Sequence, residues 1–169
     1  VVDVEELPTH GASLRVWLAH QGAAEPSAAV ESVLAAEAAT GLETLEAYAG
    51  FQQRAEAAKH GLLEFLLQAR RQGRRVLGYG AAAKGNTLLN YAGVKPDLLP
   101  AVADRAASKQ GKLLPGSHIP VISPEQLTSE GADSLLVLPW NLIDELRQQL
   151  PDRTLVTAIP ELRHWQGGA

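Results

Sequence analysis

The residues best suited to chemistry in this chain form a glycine-rich turn between a strand and a helix. Val76 and Leu77 are apolar strand residues, and Gly78, Gly80 and Ala83 follow in the spacing Gly-x-Gly-x-x-Ala. Glycine permits positive φ angles and close backbone approaches that a side chain would forbid. This spacing is typical of turns that carry a pyrophosphate, and the small residue at Ala83 is expected to let the helix pack tightly on the strand.

The helix that begins after this turn directs free backbone N–H groups and the positive end of its dipole at any ligand above it. Lys84 adds a cation where the dipole disfavours one, which indicates that an anion shares the position. A tight strand–helix turn without a ligand is the alternative. The predicted phosphate site consists of Gly78, Gly80, Ala82, Ala83, Lys84, Gly85, Asn86 and Thr87.

Further candidate ligands stand near the ends of other predicted strands. Asp104 follows the next apolar run, where an acidic residue accepts a ribose hydroxyl in dinucleotide sites, although it could equally cap a turn. Lys109 is a candidate clamp for a diphosphate, or a solvated loop lysine. Trp140 could stack on a base or sugar and Asn141 could hydrogen-bond to it; alternatively they are a core tryptophan and a helix N-cap.

The pattern of elements behind these residues predicts an α/β, Rossmann-like parallel sheet over residues 74–169. About five strands are expected, at 76–79, 98–103, 119–122, 134–139 and 154–159, with helices at 84–92, from 123 and at 142–150. Ligands of such sheets bind at the carboxyl ends of the strands. The candidate residues named above fall at those ends.

Residues 1–20 predict a β-hairpin, because apolar and polar residues alternate along two short runs. Leu14, Val16 and Leu18 share one face of its second strand. A two-stranded ribbon is marginal alone, so the hairpin needs another surface to join. His10 lies in its connecting loop, where it is a candidate catalytic acid or base, although a lone histidine is more often structural.

Residues 21–73 predict a helical segment that packs on the sheet. One helix is expected from Pro26 to about Ala39, and a long one from about Leu42 to Gln72. Apolar residues of the long helix are spaced three and four apart over three heptads, so a coiled-coil dimer is an alternative to packing within the domain. Gly50 and Gly61 weaken the helix, and one of them is a candidate bend.

Composition excludes several classes of function. A chain of 169 residues that is 46% hydrophobic suits one domain, or one domain and a piece of another. A net charge of −4 argues against nucleic acid as the partner. The absence of cysteine excludes thiolate zinc sites, and the five histidines lack metal-ligand spacing, so no metal is expected. No membrane span and no signal peptide are visible, which favours a cytoplasmic protein.

Several stretches together resemble the C-terminal domain of bacterial sugar C-methyltransferases, which act on nucleotide-linked deoxysugars with S-adenosylmethionine. They are residues 8–15, 78–90 and 109–120, with Leu138-Pro139-Trp140-Asn141 near the end. The resemblance covers nearly the whole chain, and the stretch from Tyr79 to Asn90 is the most specific part. One departure is Gly11-Ala12, where the family usually has Gly-Gly.

The resemblance implies that a zinc-binding domain and a methyltransferase domain precede this one. Residues 1–20 would be the last hairpin of the methyltransferase domain, and residues 74–169 would hold the nucleotide-diphosphate sugar. The family's cysteine zinc ligands, methyl-donor motif and catalytic Tyr-x-Glu-His stretch are absent here. The implied fragment therefore binds no cofactor and is inactive alone, and S-adenosylmethionine serves the full-length enzyme.

Two functions of other classes stay open at this point. A small NAD-type dinucleotide-binding protein would use the glycine fingerprint and Asp104, although that fold needs two mononucleotide halves and only about 95 residues follow Arg74. A pure interaction domain would instead use the heptad seam of the long helix.

Overall fold

The structure is a computed structural model that describes residues 1–8 and 12–166. Its contacts divide the chain into two compact units, Val1–Arg54 and Ala55–Ala169. His10, the candidate acid or base, lies outside the described residues. The division expected at residues 20 and 73 concerns the domains of a longer protein and stays a prediction.

The first unit contains the predicted hairpin, one complete α-helix and a 3₁₀ turn. Strands β1 (Asp3–Leu7) and β2 (Ser13–Trp17) pair antiparallel, with Val4 opposite Val16. Helix α1 (Ala28–Ala39) follows, and the N–H of Ser27 just before it donates to the carbonyl of Val2 at 2.9 Å. None of the residues that the structure describes in this unit is buried. The unit therefore has no hydrophobic core of its own.

The long helix α2 spans Phe51–Arg71, so its predicted start near Leu42 is wrong. Thr44 has an extended backbone, and a 3₁₀ turn over Leu45–Tyr48 replaces the expected first turns. The Tyr48 hydroxyl stabilises this turn by donating to the Leu42 carbonyl at 2.8 Å. Gly50, one of the two candidate bends, immediately precedes the helix, as its low helix propensity favours.

The second unit is a six-stranded sheet with helices on both faces, and it confirms the predicted fold class. The strands are β3 (Val76–Tyr79), β4 (Val102–Ala103), β5 (Val121–Ile122), β6 (Ser134–Val137), β7 (Leu155–Thr157) and β8 (Arg163–Trp165). The helices are α3 (Ala83–Ala92), α4 (Gln126–Ser129) and α5 (Ile143–Gln149), with a 3₁₀ turn at Trp140–Leu142.

The strand order is β5-β4-β3-β6-β7-β8. The first five strands in this order are parallel and have the strand order of a Rossmann fold. The point at which the strand order reverses lies between β3 and β6. Strand β8 pairs antiparallel with β7 and was not predicted. Its sequence, Arg163-His164-Trp165, is short and mostly polar, so it carries little strand signal.

Apolar residues fill both sides of this sheet. Along β3 the side chain of Val76 belongs to one buried cluster and those of Leu77 and Tyr79 to the other. Leu62 and Phe65 of α2 lie in the first cluster, so the carboxyl-terminal half of the heptad seam packs within the unit. A sheet that is buried on both faces holds the ends of its strands rigidly, which is what a site at those ends needs.

Two kinds of feature are absent from the described part of the chain. None of its helices combines the length and the apolar character that crossing a bilayer requires. No group of three or more histidine, aspartate or glutamate side chains there is arranged to hold a metal ion.

Candidate functional site

The candidate ligands meet at the carboxyl edge of the sheet. Strands β4 and β6 both lie beside β3 and run parallel to it, so the three strands end together. The turn after Tyr79, the carboxylate of Asp104 and the pair Trp140-Asn141 are therefore neighbours in space. The sequence predicted the shared edge, and the structure adds the contacts between these residues.

Glycines of the turn stand where a side chain has no room. A Cβ at Gly78 would lie 2.6 Å from Cγ2 of Val102, and one at Gly80 would lie 2.6 Å from Cδ of Pro139. Gly80 also has a φ of +81°, which residues with a Cβ rarely adopt. These glycines let the turn pass close to β4 and to the end of β6.

Ala83 does not have the packing role that the fingerprint predicted for it. It is exposed, because α3 begins at Ala83 itself and turns its first residue away from the sheet. Gly85 is buried instead, and a Cβ there would overlap the Cβ of Leu138. The close approach of helix to strand therefore depends on Gly85, two residues after the position that the motif assigns.

The first turn of α3 offers unpaired backbone donors. Its N-cap is Ala82, which has no side chain able to cap. The N–H groups of Ala83, Lys84 and Gly85 have no acceptor among the described residues, whereas the N–H of Asn86 bonds to the Ala82 carbonyl at 2.9 Å. Such a helix start attracts an anion, because its N–H groups and its dipole both favour negative charge.

Lys84 joins this turn to the segment after β6. Its Nζ donates to Oδ1 of Asn141 and lies 4.9 Å from the ring centre of Trp140. Helix α5 begins at Ile143 and its N-cap is Leu142, so the alternative that Asn141 caps this helix is wrong. Trp140 is partly exposed rather than fully in the core, which leaves part of its ring open to a ligand.

Asp104 is only 8% exposed and ties the glycine turn to the loop after β4. Its Oδ2 accepts from the N–H of Ala81 at 2.7 Å and from Nζ of Lys109 at 3.1 Å, and its Oδ1 accepts from the N–H of Ala106 at 2.8 Å. Burial alone raises the pKa of Asp104, but these three hydrogen bonds and the charge of Lys109 hold it below its ordinary value. The group is therefore a carboxylate at neutral pH.

These contacts bear on the two roles considered for Asp104. The bond to Ala106 is the turn cap that the sequence left open, and a ribose hydroxyl would have to compete with the bonds already made. Lys109 also donates to the Ala81 carbonyl at 3.0 Å, so it braces the turn. The ribose role of Asp104 and the diphosphate role of Lys109 stay predictions.

The remaining polar candidates of α3 differ in their surroundings. Thr87 is exposed and its hydroxyl donates to the Ala83 carbonyl at 3.2 Å. Asn86 has a buried Oδ1 with no hydrogen-bond partner among the described residues. Its carbonyl accepts from Asn90, whose Nδ2 also donates to the carbonyl of Pro115 at 2.9 Å. Asn86 and Asn90 thus help to hold the loop after β4 against α3.

Two depressions flank the start of α3. We call the first the polar crevice: it measures about 260 Å³ and is lined by Gly80, Ala82, Asp104, Lys109 and Glu145, among others. We call the second the apolar cleft: it measures about 340 Å³ and is lined by Ala55, Ala58, Leu88, Tyr91, Trp140 and Ile159, with Lys84 and Thr87. Ala82 faces the crevice and Lys84 faces the cleft. From the sequence, Ala55 was assigned to the heptad seam, and Leu88 and Tyr91 to the helix after the glycine turn. No ligand-binding role was predicted for them, because apolar residues at helical spacing indicate only helix packing.

A larger depression, of about 470 Å³, lies at the opposite, amino edge of the sheet. Two of its charged residues already have partners within the protein: the Arg70 guanidinium donates to the Asp97 carbonyl, and Arg75 pairs with Glu130. It contains none of the candidate ligands, so size alone does not mark the site.

Comparison with known proteins gives two findings. The sequence profile described as the C-methyltransferase C-terminal domain matches residues 8–160. The chain is also similar to the C-methyltransferase NovU of Streptomyces niveus, with 37% identity over 96% of this chain and 40% of that protein. The chain therefore spans about two fifths of the length of this relative.

Proposed function

This chain belongs to the family of C-methyltransferase C-terminal domains, and from that premise we propose that it is the sugar-nucleotide-binding domain of a longer, S-adenosylmethionine-dependent sugar C-methyltransferase. Its task is to hold the diphosphate of the substrate over the start of α3. Holding a substrate in one orientation is itself catalytic, because it removes the entropy cost of meeting the reacting groups.

The observation that carries this proposal is the uncapped start of α3 beside a lysine. The N–H groups of Ala83, Lys84 and Gly85 have no acceptor among the described residues, and Lys84 of the same turn has its ammonium on Asn141. A diphosphate would accept hydrogen bonds from these groups, and Lys84 would give it a charge-assisted bond in place of, or beside, its bond to Asn141. Asp104 and Lys109 would keep the turn in shape.

The longer enzyme would supply what this chain lacks. The methyl donor would bind to a preceding methyltransferase domain, and a zinc-binding domain would precede that one. The hairpin of the first unit presents Leu14, Val16 and Leu18 on one face, exposed by 51%, 45% and 76%. We propose that this face packs against the methyltransferase domain, that the isolated chain transfers no methyl group, and that the whole enzyme acts in the cytoplasm.

Calorimetric titration of the 169-residue chain with a thymidine-diphosphate sugar tests the diphosphate role. We expect Lys84→Ala to weaken binding by about tenfold, since one charge-assisted contact contributes on the order of 1.5–3 kcal/mol. Arg71→Ala is the matched control, because it removes an exposed cation at the amino edge of the sheet. Equal affinity of the Lys84→Ala variant and the parent chain would remove Lys84 from the site.

A further inference from the structure

The apolar cleft is lined by two aromatic rings, and a lysine ammonium lies over each ring. Nζ of Lys84, which also lines the cleft, lies 4.9 Å from the ring centre of Trp140, and Nζ of Lys59 lies 5.2 Å from that of Tyr91. The rest of the lining consists of Thr87 and four apolar residues, Ala55, Ala58, Leu88 and Ile159. Among the described residues, no acidic side chain lines this cleft.

The polar crevice on the other side of the α3 start has the opposite character. Two carboxylates, those of Asp104 and Glu145, line it together with two cations, Arg105 and Lys109. Asp104 and Lys109 there already bond to each other and to the glycine turn, and Arg105 donates to Gln149. The crevice is the usual dinucleotide position of a Rossmann fold, yet its carboxylates offset its cations, whereas the lining of the cleft has a lysine and no carboxylate.

Lys84 connects the cleft with the proposed diphosphate position. It belongs to the first turn of α3, whose N–H groups find no acceptor in the described part of the chain, and its side chain lines the apolar cleft. A ligand with an anionic group linked to a flat ring, whose face can lie against the aromatic side chains, would fill both places. Aromatic side chains bind the π-face of any base, and ligand sites are commonly apolar clefts of roughly 300–1,000 Å³ with a few polar groups at fixed points.

We propose that the apolar cleft receives the base of a nucleoside diphosphate, which lies against Tyr91 and Trp140 while its diphosphate turns over the start of α3. This inference rests on the proposed function, whose diphosphate position it uses. It assigns the base to the side of the sheet covered by α2 and α3, away from the polar crevice.

A substitution that fills the cleft tests the proposal. Ala55 lines the cleft from α2, so Ala55→Trp places a large ring where the base would lie. Ala57 is exposed on the same helix and outside the cleft, so Ala57→Trp is the matched control. The probes are uridine diphosphate, thymidine diphosphate and inorganic pyrophosphate, each titrated calorimetrically into the 169-residue chain.

We expect Ala55→Trp to lower the affinity for both nucleoside diphosphates by roughly tenfold or more, which is the scale of a lost base–aromatic stack. The affinity for pyrophosphate should stay unchanged. Ala57→Trp should leave all three affinities unchanged. Tyr91→Ala should reproduce the selective loss and Tyr91→Phe should restore binding, because phenylalanine keeps the ring. The Tyr91 variants also decide the matter if Ala55→Trp fails to fold.

The outcomes separate this inference from the proposed function. If Lys84→Ala weakens binding but neither Ala55→Trp nor Tyr91→Ala does, the diphosphate site stands and the base lies elsewhere. If the cleft variants weaken binding and Lys84→Ala does not, the cleft stands and the diphosphate position is wrong. If nucleoside diphosphates bind no more tightly than pyrophosphate, or if none of the probes binds, the assignment of the base is overturned.

Discussion

The two units of this chain use apolar residues in opposite ways. In the unit Ala55–Ala169, leucines such as Leu62, Leu77 and Leu135 are fully buried around a sheet. In the unit Val1–Arg54, Leu18 is 76% and Leu45 is 86% exposed, and none of the described residues is buried. The first arrangement supports folding, whereas the second leaves apolar surface exposed, and exposed apolar groups gain free energy only when something covers them.

The difference shows that the two units contribute to the protein in different ways. A buried sheet can hold the glycine turn and Asp104 without help from outside. The hairpin of the first unit leaves Leu14 and Val16 exposed on its open face and contributes no buried residue. The predictions below test this contrast.

The largest effect is expected from the core of the second unit. Leu77→Ala should lower the free energy of unfolding by about 2–5 kcal/mol, because a fully buried leucine leaves a cavity when it is truncated. Leu14→Ala on the open face of the hairpin should change it by less than about 0.5 kcal/mol. Urea unfolding followed by circular dichroism measures both. Similar losses of unfolding free energy in the two variants would show that Leu14 is covered, and the two units would then not differ in how they use apolar residues.

How much of this structure the sequence predicted depends on how far apart along the chain the interacting residues lie. Hydrophobic runs and glycine turns are local signals, so the five parallel strands and the turn at Gly78–Gly80 were predicted. The inward position of Asp104 was not, because its bond to the Ala81 N–H joins residues 23 apart through the sheet. Likewise, the sequence did not predict that Gly85 and not Ala83 allows the close packing of helix on strand, because this depends on the side chain of Leu138, which the motif does not include.

A smaller, pH-dependent effect should come from Asp104. Its folded pKa lies below that of the unfolded chain, so its contribution to stability is complete above the unfolded pKa, near 4. The contribution is lost as the pH falls from about 4 through the folded pKa. Asp104→Asn should therefore lower the free energy of unfolding by about 1–3 kcal/mol at pH 7, where a charged acceptor is lost, and by less at lower pH.

Urea midpoints of the parent chain and Asp104→Asn between pH 7 and pH 3 check this. Glu161→Gln is a suitable control, since Glu161 is an exposed carboxylate that pairs only with nearby Arg163 in the described part of the chain. A constant difference between parent and Asp104→Asn over this range would contradict a depressed pKa at Asp104.

The smallest effect is expected from removing the hairpin altogether. A chain that starts at Gln21 loses β1 and β2, which pair with each other and contribute no buried residue. It also loses the bond from the Ser27 N–H to the Val2 carbonyl, so α1 should lose helical signal. The unfolding midpoint of the second unit should nevertheless stay unchanged, because its core clusters contain only residues from Leu62 onward. Unfolding followed through Trp165, which lies in β8 and donates from Nε1 to Thr157, reports on that unit alone once Trp140 is replaced by phenylalanine in both chains and Trp17 by phenylalanine in the full chain. A lower midpoint in the trimmed chain would mean that the hairpin supports the sheet, and the first unit would then belong to the core of the domain instead of to its partner surface.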